Sequence, residues 1–218
     1  GMPRPPAGMP ECTEALLPVE NYQLPIGETI RYTVEIDGLS VGTIDFKVMN
    51  RGVFSGTQVD EYRSLFKIDG LVSTFMPVRG QAASVVKLAD LQPLRAMNRY
   101  SIDETRLDEK IEFTTNATEL VSTRERNGKS AKQSRTFDYS VQDFVTAFYQ
   151  LRRMPRDIEG CVVIYSNLRA YTVWIRKEGE ERIKTPIGYR EADRYSIEYG
   201  SEYSKLPKKG TFWVGVED

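Results

Sequence analysis

The chain has 218 residues, 30 of them basic and 31 acidic, giving a net charge of −1, and it contains no histidine. Balanced charge provides no field to draw nucleic acid or an anionic membrane surface. The missing histidine removes the commonest neutral-pH base, every Ser–His or Cys–His nucleophile pair and the commonest zinc ligand, so neither metal nor cofactor is expected.

Residues 1–24 carry five prolines by position 18 and little periodicity, and they read as an extended or disordered leader to a single β-rich domain over 25–218. From Glu28 the period becomes two. Ile30, Tyr32, Val34 and Ile36 alternate with Thr29, Arg31, Thr33 and Glu35, which puts one face on a core and the other in water. Asp37-Gly38 begins a turn, and Ile44, Phe46 and Val48 repeat the alternation. Further strands are expected over 62–68, 78–88, 94–101, 110–115, 119–126 and 132–138, with Asn127-Gly128 the strongest two-residue hairpin signal.

A helix then interrupts the strands over about 141–153. Ser140-Val141-Gln142-Asp143 approximates a capping box, and Phe144, Val145, Phe148 and Leu151 form one apolar stripe. Arg152 and Arg153 complement its carboxyl end and Pro155 stops it. Strand-like segments resume at 161–165, 170–177, 182–184, 189–199 and 211–216. Strands without alternating helices predict a mainly β fold: an antiparallel β-barrel, or a strongly curved half-barrel sheet with one amphipathic helix.

Chemistry is sparse. The sequence has no phosphate-binding glycine loop, dinucleotide fingerprint, nucleophile elbow or calcium-loop spacing. Asp103-Glu104 and Asp108-Glu109 lie in polar, turn-like stretches and read as solvated charge, although a glycosidase needs only two carboxylates. The basic cluster Arg124, Arg126, Lys129, Lys132 and Arg135 straddles the Asn-Gly turn and reads as a solvated hairpin face. Cys12 and Cys161 leave two readings open. They are two free thiols, or a disulfide that closes a loop of about 150 residues, worth roughly 4–5 kcal/mol. The residues before Cys12 do not match a lipoprotein cleavage site.

Tyr165, Tyr171, Trp174, Tyr189, Tyr195 and Tyr199 crowd the last third of the chain, as core pairs or as the lining of a concave face. Arg79 and Arg152 are the charges nearest to apolar segments, where arginine binds an anion or pairs with a neighbouring acid. Arg79, Phe148, Tyr149, Arg152 and Trp174 are therefore the candidate binding residues, and no catalytic residue is expected.

The order of short motifs supports a family resemblance. Leu24-Pro25-Ile26-Gly27-Glu28, Arg31-Tyr32-Thr33-Val34 and Gly38-Leu39-Ser40-Val41-Gly42-Thr43 are followed by Phe75-Met76-Pro77-Val78-Arg79 and Pro93-Leu94-Arg95. Lys110-Ile111-Glu112-Phe113, Ala147-Phe148-Tyr149-Gln150-Leu151-Arg152, Lys184-Thr185-Pro186-Ile187-Gly188 and Gly210-Thr211-Phe212-Trp213-Val214 complete the series. Over about residues 24–217 the chain resembles the bacterial family called domain of unknown function 3108. The resemblance implies an exported, β-rich protein of the periplasm or cell envelope with no catalytic residues to carry over. Members commonly continue past the tryptophan strand, so an unpaired edge is expected near Glu217-Asp218. Gly1-Met2 reads as a cleavage scar, with any signal peptide trimmed away.

The expected function is a non-catalytic periplasmic binding or carrier module for a lipid-like or glycan ligand, by analogy with half-barrel lipoprotein carriers. The alternatives are an assembly factor that pairs an edge strand with an envelope protein, and a carboxylate-based polysaccharide hydrolase. No apolar run is long enough for a transmembrane segment.

Overall fold

The computed structural model describes residues 1–18, 24–36, 39–68, 78–185 and 187–215. The turn expected at Asp37-Gly38, the Phe75-Met76-Pro77 motif, Pro186 and the terminal Val216-Glu217-Asp218 lie outside the described residues. Strands β1 (Thr29–Ile36), β2 (Leu39–Phe54), β3 (Thr57–Ile68), β4 (Val78–Lys87), β5 (Pro93–Ile102), β6 (Thr105–Thr114), β7 (Glu119–Arg126) and β8 (Lys129–Thr136) form one eight-stranded antiparallel sheet in chain order. Helix α1 (Phe144–Leu151) follows. Strands β9 (Glu159–Ser166), β10 (Arg169–Thr185), β11 (Gly188–Ser201) and β12 (Lys208–Gly215) make a second, four-stranded antiparallel sheet.

The mainly β, antiparallel expectation holds. The barrel does not: β1 and β8 are opposite edges of the large sheet, and the described strands form no closed ring. The chain leaves the meander after β8 for α1 and begins a new sheet. Alternation along a strand specifies faces, not where one sheet ends, so this break left no mark on the period.

Local chemistry explains the details. Asn127 (φ 47°) and Gly128 (φ 82°) are both left-handed, the conformation a two-residue hairpin of native twist requires. The helix is shorter than expected and begins at a different cap. Asp143, not Ser140, is the N-cap: its carboxylate accepts from the Thr146 amide at 3.3 Å and the Thr146 hydroxyl at 2.5 Å. Ser140 instead donates to the carbonyl of Asn116. The segments read as separate strands at 170–177 and 182–184 are one long strand, β10, with a bulge between Lys177 and Gly179 absorbing the irregularity.

Cys12 and Cys161 form a disulfide, with Cα atoms 5.8 Å apart, which resolves the two readings in favour of pairing. Both cysteines are buried. The bond anchors a segment that crosses the small sheet. A side chain at Gly200 would strike Pro6, the Trp174 indole donates to the Pro10 carbonyl at 2.9 Å, and Leu16 lies over Gly160. The Leu16 amide bonds the Cys161 carbonyl at 2.8 Å, while Gln142 pairs with β9 further along, so two separate segments cover that edge.

Candidate functional site

The inward face of the large sheet reads in rows. Phe46, Ser64, Ala82, Asn98, Glu109 and Arg124 align across β2–β7, and the next row holds Tyr32, Ile44, Phe66, Gly80, Tyr100 and Leu107. Helix α1 sits against β3 and β4 on one side and β9 on the other. Its aromatic residues interleave with those rows. Phe148 stacks on Phe46 with centroids 3.7 Å apart, and Tyr32 meets Phe148 edge-on at 5.3 Å. Phe144 meets Phe66 at 6.2 Å, and Phe66 meets Tyr100 at 6.4 Å. Tyr32, Ile44, Phe66, Tyr100, Phe144 and Phe148 are all only half-buried. On the small sheet Ile164, Tyr171, Val173, Ile197 and Tyr199 are also half-buried, and Ile164, Val173 and Ile197 join Leu151 of α1 in packing against Val162, Ile175 and Tyr195. The result is an apolar band of α1 and large-sheet side chains, with a separate small-sheet cluster packed at the Leu151 end of the helix.

Three of the five candidate residues lie here. Phe148 is in the band, Tyr149 is buried beneath it and stacked on Tyr62 at 4.0 Å, and Arg152 pairs with Glu28 at one end. Burial raises the Tyr32 hydroxyl above its ordinary range, against the pull of Arg152, and burial raises Tyr149 as well. The other two lie elsewhere. Arg79 is exposed on the opposite face of the large sheet, beside Lys67 and Ser101. Trp174 lies on the small sheet, half-buried against Pro10.

That opposite face carries a trough of about 870 Å³ whose lining includes Lys47, Arg63, Leu65, Ala83, Met97 and Lys110. Its charges largely satisfy one another. Arg31 pairs with Asp45 at 2.6 Å, Arg99 with Asp108 at 2.7 Å and Arg63 with Glu61 at 3.1 Å. Leu65, Ala83 and Met97 add apolar area among them, Met97 lying directly across from Ala83, which a solvated sheet face commonly shows. Size favours the trough, but the chemistry of an apolar binding site favours the band.

Buried polar groups lock the surroundings. Glu109 accepts from the Asn98 side chain at 3.2 Å, from Ser122 at 3.4 Å, and from the amides of Asn167 and Leu168 at 3.0 and 3.1 Å. Those two amides belong to a turn with φ of 54° and 58°, so a buried carboxylate fastens a strained β9–β10 turn onto the large sheet. The basic cluster also departs from the expectation of a solvated face. Arg124 turns inward to Asn167, and Arg135 makes a two-pronged pair with Glu202, whereas Lys129 and Lys132 are exposed. No group of three acidic or cysteine side chains that could hold a metal occurs among the described residues.

No curated protein and no solved structure matches the chain. One family does, described as a protein of unknown function, DUF3108, over residues 31–218. That span takes in both sheets and the helix between them, so the chain belongs to the DUF3108 family.

Proposed function

We propose that the protein is a non-catalytic binding or carrier module of the bacterial cell envelope, and that an apolar or amphiphilic envelope-derived ligand lies along the α1 band. The observation that carries this reading is the set of ring contacts that join half-buried aromatic side chains of α1 to those of the large sheet. Ligand sites are mostly apolar with a few placed polar groups. The acids of the trough, paired with arginines, lend little support to a hydrolase. Edge pairing with a protein has less support too, since the outer strands β8 and β12 carry Lys129, Lys132, Lys208 and Lys209, the residues that blunt sheet edges.

Native mass spectrometry of protein purified from its own envelope fraction, followed by organic extraction, tests the reading. A co-purifying amphiphile of defined mass is expected, and its yield should collapse in a Phe148→Asp variant that still melts cooperatively. A bare chain that also fails to take up the neutral fluorophore N-phenylnaphthylamine would overturn it.

A further inference from the structure

Many arginines in the protein face a carboxylate: Arg31, Arg51, Arg99, Arg135, Arg152 and Arg156 all do. Arg124 and Arg169 form no ion pair among the described residues, although Glu109 is the cross-strand neighbour of Arg124 and Arg169 lies over the Tyr203 ring at 5.6 Å. Both donate instead to Asn167, Arg124 Nη1 to the side-chain oxygen at 2.6 Å and Arg169 Nε to the backbone carbonyl at 3.3 Å. Arg124 Nε is buried without an acceptor. One guanidinium comes from β7 of the large sheet and the other from the start of β10, so they reach one turn from opposite sheets. Glu109 lies nearby, but its oxygens are already taken by four donors.

Tyrosines surround the pair. Tyr100, Tyr171 and Tyr199 are half-buried, and their hydroxyls make no hydrogen bond to the described residues. Burial, and after it the Glu109 carboxylate, push the Tyr100 hydroxyl up to about 12, while Arg124 and Arg169 pull it down less strongly. Tyr171 is likewise raised by burial and lowered by Arg169. Two guanidiniums, set against the single Glu109 carboxylate, and hydroxyls without a hydrogen-bond partner therefore share a partly desolvated place, next to the ring of Phe66. Guanidinium forks in such a place suit an oxyanion with two or more acceptor oxygens.

We propose that this cluster is the head-group end of the ligand band. An anionic head, phosphate or carboxylate, sits between Arg124 and Arg169 and accepts from Tyr100 and Tyr171, while its apolar tail runs past Phe66 toward Phe144 and Phe148. The proposal rests on the reading of the band as an apolar site and narrows its ligand to an anionic amphiphile.

Displacement of N-phenylnaphthylamine by dodecyl phosphate and by dodecyl maltoside tests it. Dodecyl phosphate is expected to bind about tenfold or more tighter in the native protein, as two charge-assisted contacts imply. The preference should fall to roughly twofold in Arg169→Gln and in Arg124→Gln, with uptake of the probe unchanged. Arg124 also holds the turn, so Tyr100→Phe/Tyr171→Phe, which keeps the rings, provides a further variant if Arg124→Gln melts early. Equal affinity for the two amphiphiles in the native protein would overturn the head-group site and leave the apolar band standing. Failure of the probe and of both amphiphiles to bind would overturn the band itself. Inorganic phosphate alone is expected to leave the probe in place. Displacement by it would make this a free-anion site and overturn the link to the tail.

Discussion

Two regions on the same face of the large sheet are built from the same alternation yet end differently. Under β9 and β10, Ala96, Ile111, Tyr165 and Ala170 are fully buried, with Val163 and Phe113 nearly so. Two rows away, Tyr32, Ile44 and Phe66 are half-buried. The cover differs. The first region lies under a two-stranded hairpin and a disulfide-anchored segment. The second lies under a helix of eight residues, about 12 Å long, against strands that run several times that length. Period-two apolarity says that a face wants cover; the covering element decides how much it receives.

The largest expected effect comes from opening the sealed region. Cys12→Ser/Cys161→Ser removes a link across 149 positions, worth about 5 kcal/mol in the chain-entropy account. A thermal melt should shift down by roughly 10–20 °C, and unchanged stability would mean that the crossing segment holds without its bond. Next comes a matched pair of truncations. Ile111→Ala should cost about 3 kcal/mol in urea unfolding, whereas Phe144→Ala should cost about 1–2 kcal/mol and weaken probe binding as well. Equal costs would erase the distinction between the regions.

Glu109→Gln should follow, at about 2 kcal/mol, because a neutral amide cannot satisfy the same four donors. Hydrogen exchange at the Asn167 and Leu168 amides should accelerate ahead of the sheet, and unchanged protection there would remove Glu109 from its fastening role. Smallest is the effect at the helix cap. Burial raises the Asp143 carboxyl above its ordinary value, despite hydrogen bonds from Ser84 and Thr146 that lower it. The folded state thus holds this proton more tightly than the unfolded one. Its contribution to stability is greatest below the unfolded carboxyl range and declines as pH rises toward the raised folded value. Asp143→Asn keeps a good cap and should flatten that part of the stability–pH curve. An identical slope in the variant would assign the pH dependence to other groups.

Much of the fold could be read from the sequence because strands advertise their faces. Asn127-Gly128 marked its hairpin without help, and Asp143-Phe144-Val145-Thr146 held a cap signature three residues beyond the Ser140 position that looked stronger. The division into two sheets could not be read, since it depends on where α1 carries the chain after β8. The anchoring of residues 1–18 was obscured because its contacts, through Pro6, Pro10, Cys12 and Leu16, follow no period. The candidate site was legible in part. The aromatic stripe of α1 led to Phe148 and Tyr149, but Arg124 looked like one more charge on a hairpin, and only its inward parity with Ser122 and Leu120 hinted otherwise.

The strictly sequential order of β1 to β8 also shapes how the molecule assembles. Every pairing in the large sheet joins neighbours along the chain, so it can grow hairpin by hairpin as residues become available, with short loops to close. The segment around Cys12 has the opposite schedule. Its anchor on β9 lies 149 positions later, roughly 7–30 s of synthesis at ordinary rates. Until then its thiol has no native partner, so a segment that precedes the whole large sheet can be locked in place only after that sheet and β9 are available.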